Sequence, residues 1–281
     1  MKSVSMYAML VMLLMTSCEK FATEEPGNKN GNEENGNVNI QVRNVENDDL
    51  GSLLSLGIFH IDQKTKVIHQ SQESSGFGHF SMSLSPNTYR MVAIAHQGTG
   101  NCTISSPEKI TFPSNKLTDT FYYYSTLEVE DEDIRQEISL SRATSMFTLH
   151  INDSIPKNAK RIKFYYTGGS STLDATTGYG CVNSRQTEIQ DVHTEQHDYS
   201  VYTFPHEDGK KLKIVITVLD AEAKSIAELT LQDVAMKRNQ ITRYSGNLFH
   251  GTPSGSITED GNGFEFTFKD SWEGETHYTF R

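Results

Sequence analysis

The sequence predicts an all-β chain built as two tandem Greek-key sandwiches, on three observations. Apolar residues recur at every second position through most of the chain after residue 36, the period of a strand with one buried face. Clusters of Gly, Pro, Asn and Ser separate these stretches. No segment sustains the three-to-four-residue apolar period of a helix, and strands do not alternate with helices as a parallel α/β sheet requires.

Residues 1–17 read as a lipoprotein signal. Lys2 supplies a minimal positive start, Met6 to Met15 is almost wholly apolar, and Met15-Thr16-Ser17-Cys18 closes the run with small residues before a cysteine. The Cys18 thiol is the nucleophile that takes the diacylglycerol, so Cys18 becomes the first mature residue and the lipidation site. Met15 stands where such motifs more often carry Leu, a swap of similar volume. The apolar run is about half the ~20 residues a spanning helix needs, whereas two acyl chains anchor a protein durably. Residues 18–36 are rich in Asn, Glu, Gly and Lys, with Phe21 the only large apolar side chain. They predict a disordered tether with a root-mean-square reach of about 20 to 25 Å.

The first sandwich is expected over residues 37–142. Val38, Ile40 and Val42 form one alternating set, and Phe80, Met82 and Leu84 another. Residues 90–95 are more continuously apolar, and 118–129 are rich in aromatic and β-branched residues. Within the latter, Tyr122, Tyr123 and Tyr124 form the densest aromatic cluster; alternation places Tyr123 on one face and its neighbours on the other. A sugar-stacking or protein-binding platform is one reading of them, and packing within the sheet the other. Turns fall at Ser85-Pro86-Asn87 and over residues 98–101.

A boundary is expected within residues 141–144, where one strand has ended at Leu140 and alternation restarts at Phe147, Leu149 and Ile151. The second sandwich, residues 143–281, then takes strands over 146–151, 161–166, 212–219, 227–231 and 264–268, with a turn at Asp260-Gly261-Asn262-Gly263. Residues 187–197 and 220–225 could each form a helical turn or two, but neither sustains an apolar period of three to four residues. Trp272 reads as a late core residue or a plug between the domains.

Charge and motifs exclude more than they assign. The formal net charge is -11, and loss of residues 1–17 removes Lys2 alone, leaving 24 basic against 36 acidic residues. Such a surface argues against nucleic acid, and no Lys/Arg cluster makes a polybasic membrane patch. His193 and His197, flanked by Asp191, Glu195 and Asp198, would gather metal ligands only on a helix with a third ligand fixed by the fold, so a polar loop is expected there. Asp174, Thr177 and Gly178 lie in a glycine-rich run without the Lys-Ser signature of a phosphate cradle. No Gly-x-Ser-x-Gly elbow occurs. No catalytic residue, metal site or cofactor is therefore expected. Cys102 and Cys181 could pair in an oxidising compartment, yet they fall in different expected domains.

The second half carries the most distinctive text: Ile155-Pro156, the run from Lys160 to Gly180, Asn183-Ser184-Arg185-Gln186, then Met236 to Thr242 and Ser245-Gly246-Asn247-Leu248-Phe249. These motifs resemble the minor fimbrial subunits of Bacteroidales, the FimB-like branch of the fimbrillin superfamily. The resemblance implies two transthyretin-like sandwiches in an outer-membrane lipoprotein, acting as anchor or accessory subunit of a surface fimbria and supporting adhesion. Its partners would be other fimbrial subunits, either a major fimbrillin or accessory proteins, and the membrane through the lipid. A glycan-binding lipoprotein of a polysaccharide-uptake system is the rival reading. Related subunits join by strand insertion, which suits a sandwich with an open edge. The candidate edges are the first strand, residues 38–42, and the terminal segment 264–280, with Phe264, Phe266, Phe268, Tyr278 and Phe280 as candidate interface residues.

Overall fold

The computed structural model describes residues 36–44, 51–60, 66–250, 258–259 and 272–280, and Glu33–Arg281 form one compact unit. Cys18, the signal, the tether, the expected turn at 260–263 and the expected strand at 264–268 lie outside the described residues. The fold is all-β, as the sequence predicts. Among the described residues the only helical piece is a 3-10 turn at Pro113–Asn115, and no helix is long and apolar enough to cross a membrane.

In the N-terminal half the strands are β1 (Gly36–Asn44), β2 (Leu53–Phe59), β3 (Lys66–Ser71), β4 (His79–Leu84), β5 (Asn87–His96), β6 (Thr103–Ser106), β7 (Lys109–Thr111), β8 (Thr120–Val129) and β9 (Ile134–Arg142). Seven of them follow the order β3-β2-β5-β8-β9-β1-β4. Strands β8 and β9 pair only at Phe121 with Arg142 and Tyr122 with Ser141, so the sheet folds over at that corner into two leaves. Between the leaves lie Val38, Ile40 and Val42 of β1, Phe80 and Met82 of β4, Leu54 and Leu56 of β2, Tyr89 and Met91 of β5, and Ile138 and Leu140 of β9. The expected edge at residues 38–42 is corrected here: β1 is antiparallel to β4 on one side and parallel to β9 on the other. Alternation reveals a strand's buried face but not its neighbours, and β9 lies about a hundred residues downstream.

In the C-terminal half the strands are β10 (Ser145–Ile151), β11 (Arg161–Thr167), β12 (Thr172–Asp174), β13 (Tyr179–Gly180), β14 (Arg185–Asp191), β15 (Asp198–Thr203), β16 (Leu212–Leu219), β17 (Ser225–Val234), β18 (Gln240–Gly246), β19 (Thr258–Glu259) and β20 (Gly274–Phe280). One sheet runs β15-β10-β18-β20-β19, the other β14-β11-β16-β17. Phe147, Leu149, Phe164, Tyr166, Ile214, Ile216 and Tyr244 fill the space between them. The segments 187–197 and 220–225, which the sequence allows a helical turn or two, are not helical. Thr187 pairs with Tyr165 in β14, residues 193–196 make a single turn before β15, and 220–224 close the hairpin between β16 and β17. A local polar pattern loses here to pairing partners brought in from elsewhere in the chain.

The halves are joined by main chain as well as side chain. β6 and β7 from the first half continue through β12 and β13 of the second as one small sheet, with Thr111 opposite Thr172 and Ile110 opposite Leu173. A third apolar cluster lies across this junction, with Ile94, Ile110 and Phe112 meeting Leu173, Ala175 and Phe204. Tyr122 and Tyr124 pack on that cluster while Tyr123 packs on the N-terminal core, the alternation expected of the three tyrosines. Arg142 is the polar centre of the junction. Its Nε donates to Asp119 Oδ1 at 2.8 Å, its Nη1 donates to Asn239 Oδ1 at 2.8 Å, and its guanidinium lies 4.7 Å from the Phe121 ring centre and 4.2 Å from that of Trp272. Cys102 is buried, Cys181 is exposed, and both are free thiols.

One buried histidine ties stability to pH. His96 closes β5 at 1% exposure, its Nδ1 accepting the Gly98 N–H at 3.1 Å and its ring standing edge-on to Phe112. Burial, helped by the charge of His69, pushes its pKa down to about 4 from 6.5. Between those values the unfolded chain binds a proton that the folded chain does not, so stability falls as pH falls from 6.5 toward 4. At 1.36 kcal/mol per unit the loss from this residue is about 3 kcal/mol. Urea titrations at neutral and mildly acidic pH should show this fall, and His96→Phe should flatten it; equal slopes for variant and parent would show that His96 does not carry it.

Candidate partner interface at the terminal strand

The terminal segment is held at both ends of its path. After β18, the Asp153 carboxylate accepts the backbone N–H groups of Leu248, Phe249 and His250 at 2.9, 2.7 and 2.8 Å, with the His250 ring at 3.1 Å. Burial alone would raise the Asp153 pKa, but these donors outweigh it and hold the carboxyl below its usual range. At the start of β20, Trp272 stacks on Tyr202 as well as on Arg142, and the Glu273 N–H donates to Asn239 O at 2.7 Å.

Between these points β20 lies parallel to β18 in an unbroken register from Gln240–Gly274 to Gly246–Phe280. On the inner face Tyr278 stacks on Tyr244 with ring centres 4.6 Å apart, Tyr244 packs on Phe147, and Phe280 is 2% exposed. The last pair depends on glycine. A Cβ on Gly246 would stand 2.2 Å from the Phe280 carbonyl oxygen, too close for any side chain. On the outer face Arg243 pairs with Glu275 and, at 2.6 Å, with Asp198, which also meets His150 at 3.0 Å; His277 lies 3.6 Å from Glu275. Opposite β18, the other edge of β20 is met among the described residues only by Thr258 and Glu259 of β19, against Thr279 and Tyr278.

Of the interface residues expected from sequence, the structure brings Tyr278 and Phe280 together on one strand; Phe264, Phe266 and Phe268 lie outside the described residues, as does Cys18. Sequence reasoning missed the Asp153 clamp and the Asp198–Arg243–Glu275 line. Neither has a local signal, since Asp153 lies 95 residues from Leu248 and Asp198 lies 45 from Arg243. His193 and His197 make no site: the His197 ring N–H donates to Ile151 O at 2.5 Å, and among the described residues no group of three or more His, Cys, Asp or Glu side chains could hold a metal ion. The glycine-rich run forms a loop under Arg238, whose Nη1 donates to Tyr122 Oη at 3.0 Å and Thr177 O at 3.2 Å while the guanidinium covers Tyr179.

Residues 33–250 match the family model described as fimbrillin-A associated anchor proteins Mfa1 and Mfa2. No curated protein matches the chain. Among solved structures, a candidate adhesin from Bacteroides ovatus ATCC 8483 aligns with a TM-score of 0.51 at 12% identity, over 70% of this chain and 82% of that one. The fimbrial anchor protein Mfa2 from Porphyromonas gingivalis aligns with a TM-score of 0.41 at 14% identity, over 69% and 82%. The tip fimbrial protein Mfa3 from Porphyromonas gingivalis, with a C-terminal truncation, aligns with a TM-score of 0.37 at 10% identity, over 75% and 94%.

Proposed function

The chain belongs to the family of fimbrillin-A associated anchor proteins, and on that premise we propose that it is a lipid-anchored anchor or accessory subunit, held in the outer membrane by Cys18, that joins a surface fimbria through a β-strand contact with a neighbouring subunit. The observation that supports the strand contact is the side of the sheet beyond β18, where β20 is paired along its full length with β18 and met on its other side, among the described residues, by the two-residue strand β19. A strand laid on that edge gains sequence-tolerant backbone hydrogen bonds, while side chains at alternate positions set its register. The two halves, meeting near Arg142, serve in this reading as two domains, residues 37–142 and 143–281.

The test is partner capture. Residues 33–281, immobilised, are expected to retain a fimbrial subunit from a shed-fimbria preparation and to ignore a polysaccharide array; the reverse result would favour the glycan-uptake reading. Truncation after Gly274 should abolish capture while circular dichroism stays β-dominated. Capture unaltered by that folded truncation removes the tail from the mechanism. Because Phe280 is buried, Gly246→Ala supplies a second probe that disturbs the docking of β20 with every tail residue retained.

Anchoring is tested separately. A fatty-acid probe fed to cells should label the parent protein and leave Cys18→Ala unlabelled, and equal labelling of both would remove the lipid anchor at this residue.

A further inference from the structure

The sheet β14-β11-β16-β17 buries Ile162, Phe164 and Tyr166 on its inner face, so Arg161, Lys163, Tyr165 and Thr167 of β11 point outward. The register sets their neighbours. Tyr165 has Thr187 on β14 and Val215 on β16; Lys163 has Ile189 and Thr217; Thr167 has Arg185 and Lys213. Tyr165 is 37% and Ile189 49% exposed, two of the three large apolar side chains that stand most open on the described surface. An apolar centre is thus framed by Arg161, Lys163, Arg185 and Lys213, with Asp191 and Glu228 the carboxylates in the same register. With exposed Asp233 of the β17 bulge opposite Lys213 counted as well, four cations face three carboxylates, an excess of one positive charge on a chain whose formal net charge is -11. Among the described residues none of these four cations forms an ion pair. At one end the face opens into a recess of about 490 Å³ lined by Thr167, Gly168, Asn183, Ser184, Arg185 and Lys210.

The complementary feature is on the other half. The turn between β8 and β9 reads Glu130-Asp131-Glu132-Asp133, four exposed carboxylates in succession, with no ion pair among the described residues. Its shape is fixed from beneath: Gly36 passes so close that a Cβ there would lie 2.5 Å from Glu130 O. Thr120, at the opposite end of β8, bonds to Ala143 and Thr144 at the junction. Nine residue steps at ~3.3 Å carry the turn about 30 Å from there, and among the described residues no ion pair links it to the cationic face. The two features of one chain therefore do not meet each other.

We propose that the outer face of the β14-β11-β16-β17 sheet is a docking surface for the Glu130–Asp133 turn of a second copy of this chain. The charges match, and an aromatic and aliphatic centre with an arginine- and lysine-bearing rim has the composition of a protein interface. Face and turn are different surfaces, so each copy can give one and receive the other, and copies join either as a reciprocal two-fold pair or, head to tail, as an open row. A four-residue turn is far fewer than the ~20 to 30 residues per side of a standard interface. The association is accordingly weak and salt-sensitive in solution, and is strengthened wherever copies are concentrated on one surface.

Sedimentation velocity on residues 33–281 tests this. At low salt the parent should show a sedimentation coefficient that rises with concentration, and high salt should abolish the rise. Lys163→Glu with Arg185→Glu, and separately Glu130→Lys with Asp131→Lys, should each weaken association by about tenfold or more through like-charge contact. All four positions are exposed or half-exposed, so unchanged thermal midpoints are expected to confirm the fold. Mixing the two variants should restore a heterodimer, because one retains an intact turn and the other an intact face. Carrying all four substitutions in one chain should restore self-association with the charges exchanged. A parent that stays monomeric at low salt, or association indifferent to both variants, overturns the proposal. So does loss in both variants without rescue on mixing, which would assign the cationic face to some other acidic partner.

Discussion

Arg142→Ala is expected to lower the stability of the whole unit by about 3 to 5 kcal/mol, the range for breaking a buried charged pair from one side. Arg142 is 4% exposed, and its removal would take a charged donor from Asp119 and Asn239 while opening a gap between the Phe121 and Trp272 rings. Urea unfolding followed by tryptophan fluorescence is a direct readout, because Trp272, the single tryptophan, lies against the guanidinium. Arg142→Met restores volume without charge and should recover part of the packing. The double variant Arg142→Met, Asp119→Asn should cost less than the sum of its parts, because the two residues share one network. A loss below ~1 kcal/mol for Arg142→Ala would mean that the junction is held by its apolar cluster and shared sheet alone.

Phe147→Ala should cost a comparable 3 to 5 kcal/mol for a different reason, the cavity left by a fully buried aromatic ring. The Phe147 side chain is 0% exposed, with the rings of Phe164 and Tyr244 centred 6.3 and 5.6 Å away, so it sits where β10 meets both the facing sheet and the strand that supports β20. Phe147→Leu should lose clearly less, since much of the volume is kept. If Phe147→Ala unfolds at nearly the parent's urea midpoint, the C-terminal core has collapsed around the gap more completely than its packing implies.

Several strands with a strong apolar alternation are legible in the sequence, and one with an inverted alternation is not. Val38, Ile40 and Val42, or Phe147, Leu149 and Ile151, declare a buried face because every second residue is apolar. In β14 the pattern is reversed: Gln186 is buried, Ile189 stands out in solvent, and Gln190 donates to Ser200 O at 2.7 Å across the sandwich. Such a strand reads as polar coil or helix until β11 is placed beside it. The short strands of the junction sheet were equally silent, since β7 and β12 are three residues each and exist because of one another. At the candidate interface, Tyr278 and Phe280 could be named from their aromatic character. Their pairing with Tyr244 and Gly246 could not, because parallel register across 34 residues leaves no periodic trace. Arg142 was visible only as a position near a boundary; its partner Asn239 is 97 residues away.

The central placement of β1 bears on how this protein would answer a pull. The chain ahead of Gly36 enters the fold through a strand that is bonded along both flanks, to β4 on one side and β9 on the other. Traction applied there cannot peel hydrogen bonds away one after another, as it could from a strand at the margin of a sheet; it must slide two ladders together while dragging Val38, Ile40 and Val42 out of the apolar interior. Forced extraction is governed by the rate of crossing that barrier and not by equilibrium stability. A pull on the chain at Gly36 would therefore free β1 only after both ladders shear together.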